Sequence, residues 1–348
     1  MEEHLMAISE IYVDPSINAD SGTGIISDPF GDLEYAIEQT TFDTTNGTRV
    51  NIKAGTDEVV AAELGAAMAN TGTTVAWAPS EAAPAIFQGY TTTAGDGGIG
   101  GISGGGSVSI FFTLTDHIHC IDLHMHNCGS ATICQIDNYS SVIRCEVDNT
   151  TGTAVFAGTN SIIRQCNIHN YGLRGIQLEG SIASYNILDG LGATPLYGIE
   201  LVGNASTVYR NIIRCEGAMD GIVGNGGNYG IITNNSIFSN GGTGAGIGAV
   251  GANHEFSEIS NNLIEGFSGT GGIGMDLASA NSVRSYGGNS VYDCATAYTA
   301  ITKHIIDDLG SNETLTVSPF TNATGDDFSP VDTGSVKEGS LPAEFPTV

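Results

Sequence analysis

The chain has 348 residues, and 10 Lys plus Arg against 38 Asp plus Glu give a formal net charge of −28. That excess excludes a nucleic-acid surface built on phosphate neutralisation and a polybasic membrane anchor. Gly is 49 of the residues, charged residues are only 14% and hydrophobic ones 41%, which points to an all-β protein rich in turns with enough apolar surface for a core.

The chain opens Met1-Glu2-Glu3-His4-Leu5-Met6. No basic segment followed by an apolar run is present there, so no export signal is expected. No run approaches 18 apolar residues, so no transmembrane helix is expected. Residues 28–38 place Phe30, Leu33, Ala36 and Ile37 on one side with acidic residues in the first turn, the pattern of a short amphipathic helix. Such a helix suits a cap over an open strand edge. Residues 1–108 are read as this cap and the first rungs, 109–302 as regular rungs, and 303–348 as an irregular closing segment holding Pro319, Pro330, Pro342 and Pro346. All three are parts of one continuous domain.

Residues 117–128 hold four histidines. His-x-His on a strand puts both rings on one face, which suits a metal. His124 and His126, with His119 or Asp122, are the candidate ligands. The structural alternative is solvent-facing histidines beside a core of Ile118, Cys120, Leu123 and Met125. No metal or other cofactor is counted on. The seven cysteines, an odd number without a CxxC pair, are read as buried free thiols of a chain made in a reducing cytoplasm.

The chain repeats. Gly-Ile recurs at 175–176, 198–199, 221–222, 246–247 and 272–273. An Asn leading into an apolar residue precedes each pair, at Asn167, Asn186, Asn211, Asn235 and Asn262, and recurs once more at Asn289, with a short β-branched run before the Asn in most units. One unit therefore reads strand, Asn turn, strand, Gly-rich turn, strand. Such a unit cannot bury its apolar side alone but can when stacked on its own copies. The expected fold is all-β: a right-handed parallel β-helix (solenoid) of about ten rungs, each about 20 to 27 residues long. Ile176, Ile199, Ile222, Ile247 and Ile273 should form one internal file. Asn186, Asn211, Asn235 and Asn262 should form a second, bonding amide to amide. The calcium-type string Gly271-Gly272-Ile273-Gly274-Met275-Asp276 occurs once and is read as part of a rung.

Three segments carry a resemblance. They are Tyr12-Val13-Asp14-Pro15-Ser16 followed by Asp28-Pro29-Phe30, the run from Ile86 to Gly98, and Ser318-Pro319-Phe320-Thr321-Asn322-Ala323. With the repeat they bracket, the chain resembles right-handed parallel β-helix proteins of the pectate-lyase-like kind, found in phage fibres and spikes and in polysaccharide lyases and hydrolases. The resemblance implies the fold and leaves the activity open.

The chemistry those enzymes use is sparse here. No polygalacturonase-like signature set is assembled. Arg174, Tyr197 and Asp220 each precede a rung glycine, so they can share a face with Glu200 and Gln177 in the next column. Arg174, Tyr197, Glu200 and Asp220 are the candidate acid–base or sugar-binding residues, against the alternative of ordinary surface charges. Arg144, Arg164, Arg210 and Arg284 recur at similar places in their rungs as a partial ladder. The leading functional expectation is a virion structural protein of a bacteriophage (fibre, spike or head-decoration subunit) that contacts host-surface glycan. Its partners would be other virion proteins or copies of itself, a homotrimer among the options, with no nucleic acid and no membrane. The alternatives are an extracellular polysaccharide lyase or glycoside hydrolase, and a bacterial surface adhesin.

Overall fold

A computed structural model describes residues 8–17, 21–64, 68, 76–106, 109–112, 115–129, 132–190, 195–250, 254–280, 282–299, 305–308, 312–318, 320–322 and 327–330. The chain is an all-β right-handed parallel β-solenoid whose longest sheet stacks twelve strands among the described residues. Its contacts divide it into two compact units, 1–162 and 163–348.

In the first unit, strands Ser9–Val13, Thr48–Lys53, Ala85–Tyr90, Ile118–Ile121 and Ser141–Ile143 pair in parallel, in that order. A second sheet stacks Glu58–Val59, Gly100–Ser103, Leu123–Gly129 and Glu146–Thr150, and a third stacks Phe111–Phe112, Cys134–Ile136 and Thr153–Ala157. The early turns are longer than the expected 20 to 27 residues. Ser9 pairs with Thr48, Thr48 with Ala85 and Ala85 with Ile118, so each of these turns consumes 33 to 39 residues. The helix also begins later than its pattern suggests. It spans Leu33–Gln39, where Asp32 caps it by accepting the Tyr35 N–H, and it buries Leu33, Ala36 and Ile37. Phe30 is buried just before it.

The second unit repeats more tightly. Each turn carries one strand in each of three sheets, as in Ile182–Ser184, Ile187–Asp189 and Tyr197–Leu201. Ile176 pairs with Ile199, Ile199 with Ile222 and Ile222 with Ile247, and all four side chains are fully buried. The file then departs from expectation. Ile247 pairs with Met275, which is 1% exposed, while Ile273 faces Ala245. The sequence Gly272-Ile273-Gly274-Met275 offers two Gly–apolar pairs two residues apart. Strand side chains alternate with period two, so both phases satisfy the inside–outside pattern, and the later one is used.

The glycine of each pair is held by space. A Cβ on Gly221 would lie 2.5 Å from the Gly246 carbonyl oxygen and 2.5 Å from Ile237 Cγ2. One sheet here turns its backbone directly onto the next sheet's side chains, and only glycine fits.

The Asn file is continuous. Asn186, Asn211, Asn235, Asn262 and Asn289 are fully buried, and each Nδ2 donates to the next Asn Oδ1 at 2.9 to 3.0 Å as far as Asn289, whose own Nδ2 reaches Asn312 at 2.8 Å. Just before each amide the chain turns through the left-handed region, at Tyr185, Arg210, Asn234, Asn261 and Gly288. Asn167 lies outside the file. It pairs with Ile187, and Cys166 occupies the ladder position, its N–H donating to Asn186 Oδ1 at 2.9 Å. All seven cysteines are free, and all but Cys294 are buried. Of the closing segment, Phe320–Asn322 and Asp327–Pro330 form an antiparallel pair. Pro319, Pro342 and Pro346 lie outside the described residues.

Candidate functional site

The patch expected around Arg174 is assembled in the second unit. Arg174, Tyr197 and Asp220 open three successive strands and pair in register, so they form one column, with Gln177 and Glu200 paired in the next. Within it the partners are mutual. Arg174 Nε donates to Glu200 Oε2, and the guanidinium lies 5.9 Å from the Tyr197 ring centre. Glu200 is fully buried, and its other oxygen accepts from Asn225 Nδ2 at 2.8 Å. A carboxylate removed from water in this way is stable only with its cation and donor in place.

Asp220 behaves differently. Its Oδ1 accepts the Ala245 N–H at 2.6 Å, yet burial and, less strongly, the Asp276 charge push its carboxyl up to about 6. Burial, with the Glu200 and Asp220 charges, also raises the Tyr197 hydroxyl. Asp220 and Asp276 line one shallow concavity with Thr243, Ala245 and Val250. Asp276 also accepts the Thr299 hydroxyl at 2.9 Å. The four sequence candidates therefore lie together, but as a locked ion pair beside a groove carboxyl rather than as four convergent groups. Asp276 was missed because its place, in the Gln177–Glu200 column by way of Val223 and Gly248, follows from the Met275 register and not from the Gly-Ile spacing.

A second cluster belongs to the first unit. His124 and His126 project from one face of Leu123–Gly129 with rings stacked at 4.4 Å and 16°. The other two expected ligands are elsewhere. His119 Nδ1 lies 2.8 Å from the Ser141 hydroxyl, and burial lowers its basicity. Asp122 accepts both Nε and an Nη of Arg144 at 2.7 Å. The partners actually present are Asp148, 2.9 Å from His124 Nε2, and Asp57, 3.1 Å from His126 Nε2. The Asp148 hydrogen bond holds the His124 imidazole above its ordinary value. Asp57 lies far from the histidines in the chain, in a stretch without periodicity, so no spacing signal links them.

The expected four-Arg ladder is not one column. Arg210 sits in the left-handed corner position, whereas Arg164 ends a strand and Arg284 lies inside one. In the second unit a mixed column forms instead. Arg164 and Arg210 lie 5.3 and 5.5 Å from the Tyr185 ring centre, Tyr209 meets Tyr185 edge-on at 5.7 Å, and Arg210 donates to the Tyr185 hydroxyl at 2.7 Å. Arg284 covers Tyr229, which is 45% exposed, at 4.8 Å.

No family model matches this sequence, and no curated protein matches it. Among solved structures, the chain is similar to a pectate lyase, Pel9A, at 16% identity over 99% of this chain and 91% of that one, with a TM-score of 0.52. It is also similar to the A-module of the mannuronan C-5 epimerase AlgE4 of Azotobacter vinelandii (14% identity, 88% and 98% coverage, TM-score 0.42) and to a PL6-family polysaccharide lyase of Pseudopedobacter saltans (9%, 89% and 99%, TM-score 0.45). The likeness to the pectate lyase concerns the fold, a pectate-lyase-like parallel β-helix, and not the chemistry.

Proposed function

We propose that this chain is a recognition solenoid, a fibre, spike or head-decoration subunit of a bacterial virus that touches host-surface glycan through its half-buried tyrosine–arginine corner. The observation that carries the non-catalytic part is the Arg174–Glu200 pair. A β-helix lyase of this general design needs a free cationic base over its substrate. Here the candidate is held by a fully buried carboxylate. The other described cations are also engaged. Arg49, Lys53, Arg144 and Arg214 are ion-paired, and Arg164, Arg210 and Arg284 lie over tyrosine rings. Guanidinium and phenol groups gathered at one corner suit sugars, whose hydroxyls accept from the one and exchange hydrogen bonds with the other. Free buried thiols and strong acidity suit assembly in a reducing cytoplasm followed by exposure to solvent.

One observation favours a second reading, a glycoside hydrolase. A groove carboxyl pushed up to about 6 beside another carboxylate, as Asp220 is beside Asp276, has the ingredients of a general acid and its partner.

One screen separates the two. The purified chain is offered to a panel of neutral and acidic bacterial polysaccharides, and both retention and soluble products are measured, with Tyr185→Ala and Asp220→Asn beside the wild type. Retention lost in Tyr185→Ala, without products, is the expected result. Product formation that disappears in Asp220→Asn would overturn it. The virion setting is checked by the coding neighbourhood, where capsid or tail genes are expected and a cluster of exported carbohydrate enzymes would count against it.

A further inference from the structure

We propose that Asp57, His124 and His126 form a binding site for a divalent transition-metal ion of the zinc class, with Asp148 orienting His124. The site follows from the register of the second sheet in the first unit. Gly101 pairs with His124 and Ser103 with His126 on one side. Glu146 and Asp148 pair with the same two histidines on the other. Glu58 pairs with Ile102, so Asp57 lies at the level of Gly101, two rungs from the histidines.

An ordinary side chain at 101 would stand between Asp57 and the imidazoles. A Cβ built on Gly101 falls 2.0 Å from Asp57 Oδ1. The missing side chain is what lets the carboxylate lean across the intervening rung and reach His126 Nε2 at 3.1 Å. Glycine here serves the approach of one side chain to another.

The donor set is already gathered. One ligand atom each from Asp57, His124 and His126 lie within 4.8 Å of one another. Ligation at bonds of about 2.0–2.2 Å needs them closer, and the mobile member is the one free to move, since the Asp57 side chain is 51% exposed and His126 only 19%. The two rings are already stacked nearly parallel, so little rotamer freedom remains to be lost on binding. Asp148, hydrogen-bonded to His124 Nε2, is the outer carboxylate that metal-bound histidines usually have. Two imidazoles and a carboxylate select zinc-class ions over calcium or magnesium, which prefer all-oxygen shells. Binding exchanges protons on the imidazoles for the ion. It also ties the Asp57 rung to the histidine rung, a clamp that acts only on the folded chain.

The test uses the full chain, stripped with a chelator and titrated calorimetrically with zinc chloride and, separately, calcium chloride, with thermal melts run in parallel. One zinc per chain, a rise in melting temperature and no response to calcium are expected. His126→Gln should weaken zinc binding at least about tenfold, and Asp57→Asn, at an exposed position that leaves folding intact, should do the same. His119→Gln should leave binding unchanged. Absence of zinc binding, equal binding of calcium, or zinc binding untouched by Asp57→Asn would overturn the proposal.

Discussion

Asn211 Oδ1 accepts both the backbone N–H and the side-chain Nδ2 of Asn186, each at 3.0 Å. One amide thus satisfies the donors of the rung beside it while its own Nδ2 donates to Asn235 Oδ1 and to the Ala183 carbonyl. A turn that buries its backbone polar groups must give each a partner, and a stacked amide does so at every rung.

Asn235→Ala therefore removes an acceptor for two Asn211 donors and frees the carbonyls of Val208 and Thr233. Unsatisfied buried groups cost about 1–3 kcal/mol. Denaturant melts should show a loss of about that size, and Asn235→Asp should not restore the wild-type value, because a carboxylate cannot donate to those carbonyls. A variant as stable as wild type would mean that water replaces the amide.

Gly221→Ala should destabilise through contact rather than conformation. Its Cβ meets a carbonyl oxygen and Ile237 at 2.5 Å, and overpacking of this kind costs about 1–3 kcal/mol. Ile237→Ala, which removes the clashing Cγ2, should therefore cost less in the Gly221→Ala chain than in the wild type, read by denaturant melts of the four variants of the cycle.

Arg174→Ala leaves the buried Glu200 with Asn225 as its remaining hydrogen-bond partner among the described residues. Breaking one side of a buried pair costs roughly 3–5 kcal/mol. Glu200→Gln added to Arg174→Ala should be more stable than Arg174→Ala alone, because the uncompensated charge is gone. If the double variant were the less stable of the two, the pair would not be the structural lock described above.

The pH dependence has a definite sign. Asp220 titrates near 6 in the folded chain, above its ordinary value, so the folded state binds more protons between about pH 4 and 6. Its contribution is present at low pH and is lost as pH rises through that window. His254, lowered to about 4 by burial, has the opposite slope: the unfolded chain binds the extra proton, so its contribution is lost as pH falls from about 6.5 to 4. The difference between Asp220→Asn and wild type isolates the first. Asn keeps an acceptor for Ala245, so the variant should gain about 1–2 kcal/mol on wild type between pH 4 and 7, read by denaturant melts at the two pH values. A difference that stays constant with pH would show that Asp220 is not held up by burial.

What could be read from sequence was whatever repeats. Asn186 to Asn262 and the glycines before Ile199, Ile222 and Ile247 recur at near-constant spacing because each occupies one structural position per turn. Arg174, Tyr197 and Asp220 inherited that register and were found together. Three things were not legible. The slip from Ile273 to Met275 is invisible to a period-two pattern. Cys166 in an Asn position shows no amide to count. Asp57 reaches His126 only because Gly101 leaves a gap, a fact of three-dimensional space between segments that share no period.

The stacking of successive turns is tested most directly by an experimental structure of the chain at a resolution that places side chains. The account requires Asn186, Asn211, Asn235, Asn262 and Asn289 in a straight line at steps of about 4.8 Å, with Ile176, Ile199, Ile222, Ile247 and Met275 in a parallel inner line. Those residues dispersed over unrelated elements, or Ile273 in place of Met275, would contradict it.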